Sequence, residues 1–115
     1  MYASIRNYRF SPSAAPELDQ KVRDILLPQL EQAEGFVSYS WINSGDGQGT
    51  SISVFDDEGG ARESVQIAAD FRHKHLLHVD ISAPDVMIGE IHVHAHRDIP
   101  QTPSKDQKQE QRLSH

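Results

Sequence analysis

Cysteine is absent from the 115 residues. Its absence excludes a disulfide framework, a thiolate nucleophile and a zinc–thiolate site. Basic residues are outnumbered, eleven Lys and Arg against seventeen Asp and Glu, for a net charge of −6. That balance argues against nucleic acid and against an anionic membrane surface as partners. No apolar run approaches a membrane span and no secretory signal precedes the first strand, so the expected location is cytoplasmic. There is no P-loop, no dinucleotide glycine fingerprint and no Ser-His-Asp pattern. The glycines of Gly45 to Gly49 lie between two strand patterns, not between a strand and a helix, so they do not form a phosphate cradle. Large aliphatics are nearly missing from residues 97–115, where only Ile99 and Leu113 occur. We expect that segment to be a disordered polar tail, leaving residues 1–96 as one domain.

What is present alternates. Met1 to Phe10 reads as a strand, with Ala3, Ile5 and Asn7 on one face and Tyr2, Ser4, Arg6 and Tyr8 on the other. Leu18, Val22, Ile25, Leu26, Leu30 and Ala33 recur at helical spacing after Pro16, and Pro28 is expected to kink that helix or split off a final turn. Phe36–Asn43 and Thr50–Asp56 read as a hairpin around S-G-D-G-Q-G. Pairing Ser44 with Gly49 would set Trp41 opposite Ile52 and Tyr39 opposite Val54. Val37, Tyr39, Trp41, Ile52 and Val54 then share one face, and Ser38, Ser40, Ser51, Ser53, Phe36 and Phe55 the other. A second helix is expected from about Ala61 to Leu77, and a last strand over Ala83 to His96. The order β-α-β-β-α-β predicts an α+β, ferredoxin-like sandwich: a four-stranded antiparallel sheet with two helices on one face. The helix-free face, expected to carry Phe36, Phe55, Val86 and Ile88, is an apolar patch that a second copy of the chain would cover.

Several stretches carry a family likeness: M-Y-A-S-I-R-N-Y at the start, G-F-V-S-Y at Gly35–Tyr39, S-I-S-V-F-D-D at Ser51–Asp57, A-A-D-F at Ala68–Phe71 and G-E-I-H-V-H at Gly89–His94. The chain resembles the antibiotic-biosynthesis-monooxygenase-like (ABM-like) group over about residues 1–94. The resemblance implies a homodimer, in which two sheets close a barrel, with a pocket between sheet and helices in each subunit. Some members of the group oxidise polycyclic aromatic molecules with molecular oxygen and neither metal nor flavin. Others degrade haem.

The leading expectation is therefore a cofactor-independent monooxygenase acting on a flat aromatic small molecule. Asn7, Tyr39 and Trp41 are expected on the helix-facing side, with Arg72 projecting toward them. Asn, Trp and Tyr together resemble the set by which oxygenase members hold an aromatic substrate and polarise its carbonyl. An amide donor there could stabilise an enolate or peroxide, and Tyr39 could relay a proton. The competing reading makes Trp41 and Tyr39 core aromatics, and a cavity of at least roughly 300 Å³ would favour binding over that reading. Two further functions compete. One is a non-catalytic ligand-binding or structural dimer. The other is a metal-binding protein using His92 and His94 with Glu90, because alternate strand residues project in parallel; otherwise these are ordinary strand-end histidines. For haem, the resemblance implies an Asn, a Trp and a helix-borne His. Asn7 and His75 could supply two, but no Trp falls on the second helix, and no cofactor is expected.

Overall fold

The structure, a computed structural model, describes residues 1–97. The polar tail expected at 97–115 lies, from residue 98 onward, outside the described residues. Four strands, β1 (Tyr2–Arg9), β2 (Phe36–Asn43), β3 (Gln48–Phe55) and β4 (Asp85–Glu90), form one antiparallel sheet in the order β2-β3-β1-β4. The helices are α1 (Ala15–Lys21), α2 (Leu27–Glu31) and α3 (Glu58–His75). A π-helical turn, Val22–Leu26, joins α1 to α2, so the two run on as one helical segment. This is the ferredoxin-like arrangement expected. Among the described residues no helix is long and apolar enough to cross a membrane.

Pro28 does not break the first helical segment. Its missing N–H would orphan a carbonyl in an α-helix. The preceding turn instead widens, and the Leu27 N–H reaches back to the Val22 carbonyl. Leu18, Val22, Leu26 and Leu30 stay in phase and bury against Ala68, Phe71 and Leu76 of the second helical layer, with Phe10 at the sheet end. Helix α3 starts earlier than its pattern suggests. Asp57 caps it by accepting from the Gly60 N–H at 2.8 Å. Gly60 is required for close packing: a Cβ there would lie 2.7 Å from the Phe55 ring.

The hairpin register differs by one residue from the expected one. Trp41 faces Ser51, Tyr39 faces Ser53 and Ser40 faces Ile52. The cause lies at both ends of the hairpin. The turn uses Gly45 and Gly47 at φ 96° and 76°, a region only glycine enters freely, and β3 begins at Gln48, not Thr50. At the other end β2 bulges at Val37, between the pairs Phe36↔Phe55 and Ser38↔Val54. The faces of β3 are therefore exchanged. Ser51, Ser53 and Phe55 turn toward the helices with Phe36, Tyr39 and Trp41, and all three of those β3 side chains are buried. Ile52 and Val54 turn away.

The patch expected to bind a second copy is corrected accordingly. Phe55 is fully buried under α3, and Phe36 packs edge-on against it at 5.8 Å. Val86 and Ile88 pair with Arg6 and Ser4 and so lie on the helix side. The helix-free face carries Ala3, Ile5, Ile42, Ile52, Val54 and Met87 instead, with Ile42 at 49% and Met87 at 61% exposure. Strand β4 is also shorter than expected. It ends at Glu90, so His92, His94 and His96 follow it in exposed chain without regular structure.

Candidate functional site

Trp41 is the anchor of the space between sheet and helices. Its ring rests on Gly49 of β3, where a Cβ would come within 2.4 Å of it. Tyr8 meets it edge-on, and Phe10 tilts against it, each with centroids 6.2 Å away. Its indole N–H donates to the Asp19 carboxylate of α1 at 2.8 Å, which ties sheet to helix. The cavity beside it is lined by Tyr8, Trp41 and Ser51 from the sheet, Leu18, Val22 and Leu26 from the first helical segment, and Ala68, Phe71, Arg72 and Leu76 on and just after α3. It encloses about 20 Å³, room for a single water. Counting its open mouth, the empty space is about 310 Å³. The enclosed volume is the measure to set against the roughly 300 Å³ expected of a binding cavity; a flat ligand enters only if the helices part.

Behind the Ser51 wall lies a polar layer. The Tyr39 hydroxyl and Ser51 Oγ are 2.6 Å apart. Burial pushes the Tyr39 phenol above the usual tyrosine range, while the Ser51 hydrogen bond and the Arg6 charge pull the other way. Tyr39 is a neutral phenol at physiological pH. Arg6 is 0% exposed. One of its Nη atoms donates to Ser4 Oγ at 2.7 Å and contacts Ser64 Oγ at 3.5 Å; the other donates to Ser53 Oγ at 3.2 Å. Its Nε has no hydrogen-bond partner among the described residues. Among the described residues none of the ion pairs involves Arg6. An unpaired buried charge costs several kcal/mol even after relaxation, on the order of 3–5.

The expected site residues divide. Trp41 and Arg72 line the same cavity, while Tyr39 lies on the helix side of the sheet but outside that lining and reaches it only through Ser51. Asn7 does not join them: it lies on the helix-free face, where its Oδ1 accepts from the Thr50 hydroxyl at 2.7 Å. Strand alternation explains the exclusion, because Arg6 and Tyr8 occupy the helix side of β1. Glu90, His92 and His94 are not gathered. Glu90 and His92 approach to 3.6 Å, while His94 lies against His96 with ring centroids 5.5 Å apart. Among the described residues no three His, Cys, Asp or Glu side chains converge as for a metal ion. The strand parity that would align them ends with β4. Arg6, Ser4, Ser53 and Ser64 were missed. The signal was present in the alternation of Ser4 and Arg6 with Tyr8, but it reads as a solvent face.

A haem fits this site poorly. His75 is not among the cavity-lining residues, Asn7 faces away, and α3 carries no tryptophan. No protein-family profile matches the sequence, and no curated protein matches it. Solved structures do. NE2512 of Nitrosomonas europaea, a protein of unknown function, superposes with a TM-score of 0.69 at 17% identity, covering 84% of this chain and 94% of that one. The monooxygenase ActVA-Orf6 of Streptomyces coelicolor, in complex with nanaomycin D, gives 0.63 at 13% identity over 84% and 92%. The fold is ABM-like. The haem degrader MhuD of Mycobacterium tuberculosis, with two haems bound, gives 0.65 at 12% identity over 84% and 100%. At these identities the ABM-like likeness is one of fold. The same backbone frame belongs to a monooxygenase in one neighbour and a haem degrader in another, so the fold by itself assigns no activity to this chain.

Proposed function

We propose that the protein is a homodimer in which each subunit binds a flat apolar small molecule between sheet and helices, with cofactor-independent oxidation of that molecule as its activity. The observation that carries the reading is the setting of Trp41: a lone tryptophan seated on a glycine, held by Asp19 and facing Arg72 across an apolar cleft. A core tryptophan also finds an acceptor for its N–H, as Trp41 does in Asp19. What the core reading does not call for is the cation of Arg72 lining the same cleft, and an aromatic platform beside a cation suits an aromatic ligand bearing oxygen. The ligand enters by widening the cleft on the side of Val22 and Leu26, where the π-helical turn lies. The dimer is supported by the helix-free face, where Ile5, Ile42, Ile52, Val54 and Met87 form an apolar surface that one subunit leaves uncovered.

One observation favours the non-catalytic alternative. The pocket lacks the amide donor expected from Asn7, so its oxygen-directed donors are Ser51 and Arg72. Both readings meet one experiment: oxygen uptake with anthrone in chelator-treated buffer, alongside quenching of Trp41 fluorescence. Uptake above the spontaneous rate that disappears in Trp41→Leu supports oxidation. Saturable quenching without uptake reduces the function to binding, and absence of both removes it.

A further inference from the structure

We propose that Arg6 is the fixed positive pole of this pocket and that the pocket selects an apolar organic anion, an aromatic or aliphatic body carrying one ionised oxygen. The inference rests on the pocket reading above and deepens it. An arginine side chain stays protonated at any physiological pH. Arg6 is fully buried, yet among the described residues its side-chain partners are the hydroxyls of Ser4, Ser53 and Ser64. Those hydroxyls pass the charge along without cancelling it. Ser64 donates to the Ala61 carbonyl at 2.6 Å, so Ser4 donates to Ser64 at 2.7 Å and accepts from Arg6. The Nε–H, with no partner, shows that the cage is incomplete as it stands. A purely structural arginine would be expected to meet a carboxylate or a full set of acceptors.

Arg6 and its partners Ser4, Ser53 and Ser64 do not line the cavity themselves; the charge lies one residue removed from it, beside the lining residues Tyr8 and Ser51 on the same side of the sheet. Arg6 and Ser51 are register partners on β1 and β3, and Ser51 lines the cavity. Ser51 is bonded to Tyr39, whose phenol feels the Arg6 charge. With Tyr39 donating to Ser51, the Ser51 hydroxyl proton is left to point into the cavity at a ligand oxygen. Arg72 on the opposite wall adds a second cation. Among the described residues no carboxylate lines the cavity, and Asp19, outside that lining, is engaged by the Trp41 indole. Leu18, Val22, Leu26, Phe71 and Leu76 take the apolar body. In so dry a setting the Arg6 charge acts on a bound anion with little screening.

The test compares 4-nitrophenolate with nitrobenzene, two quenchers of Trp41 fluorescence that differ in one ionised oxygen, at a pH where the phenol is ionised. The full chain should bind the phenolate at least about tenfold more tightly. The visible phenolate band should also show that the bound phenol ionises at lower pH than the free one. Arg6→Met should retain nitrobenzene and lose the preference, and Arg6→Lys should recover part of it. Equal affinity for the two probes, or a bound phenol that ionises no more easily than the free one, overturns the anion pole while leaving the pocket. A full preference in Arg6→Met overturns the role of Arg6. If neither probe quenches saturably, the pocket itself falls, and the proposed function with it. The two wild-type measurements decide the matter even if Arg6→Met does not fold.

Discussion

Beneath α3 the sheet presents Ser4, Arg6, Ser51 and Ser53, all buried. Its other side presents Ala3, Ile5, Ile42, Ile52, Val54 and Met87, with Asn7, Ser38, Ser40 and Thr50 among them, and no helix of the described residues covers it. In a monomeric sandwich the two sets would be exchanged, because apolar side chains leave water most readily. The inversion separates two tasks. The oily side is available for association, where burial is the driving force. The polar interior is dry, and its charge and hydroxyls are fixed in place, which is the environment in which electrostatic groups act most strongly on a ligand.

The contrast can be broken first from the oily side. Ile52→Lys places a charge in the middle of the proposed dimer face. It should raise the dimer dissociation constant at least about a hundredfold, or about 3 kcal/mol, leaving each subunit folded. Sedimentation velocity would read the change, and an unaltered dimer would show that this face is not the interface. On the inner side, Gly49→Ala forces a Cβ to within 2.4 Å of the Trp41 ring. It should cost about 1–3 kcal/mol in denaturant unfolding and shift Trp41 emission; a silent variant would mean that Trp41 is loosely seated.

The serines offer a sharper comparison, since the same residue type occupies both faces. Ser64→Ala removes an acceptor from the Arg6 cage and should cost about 1–2 kcal/mol. Ser40→Ala, opposite Ile52 on the helix-free face and without a buried charge to serve, should stay within about 0.5 kcal/mol of wild type. Equal effects would erase the distinction between the faces. The smallest effect concerns Tyr39. Its raised pKa means that the folded state holds the phenolic proton more tightly than the unfolded chain. That contribution is complete below the unfolded value of about 10 and is lost as pH rises through the folded value. Unfolding free energy measured upward from about pH 9 should therefore fall less steeply in Tyr39→Phe than in wild type.

The element order and the ferredoxin-like sheet were legible because hydrophobic period and glycine punctuation are local properties. The faces were not. Reading β1 alone shows two sets but not which lies inward; Asn7 was placed inward on that ambiguity, and Arg6 outward. For β3 the error came from the hairpin, where a turn beginning one residue earlier reverses every side chain that follows. Tyr39 and Trp41 lie on the helix side as expected because the altered turn reverses β3 and not β2, while the bulge at Val37 changes only the side of Phe36. The histidines were misjudged for a different reason. Alternation continues in the sequence through His96, but β4 ends at Glu90, opposite Tyr2, and is followed by one more backbone bond, from the Ile91 N–H to the Met1 carbonyl at 2.9 Å.

The extra residue at Val37 has a consequence for anyone lining this chain up against relatives. It changes the phase of β2 without changing its composition. A relative lacking that residue would match S-Y-S-W letter for letter after an invisible gap, and only its first aromatic would appear displaced. Alignment scores hardly register such a shift, yet it decides whether an aromatic at the start of the strand shares a side with the tryptophan near its end. Deleting Val37 should therefore leave Trp41 in place and swing Phe36 off Phe55, loosening the floor on which the N-terminus of α3 rests.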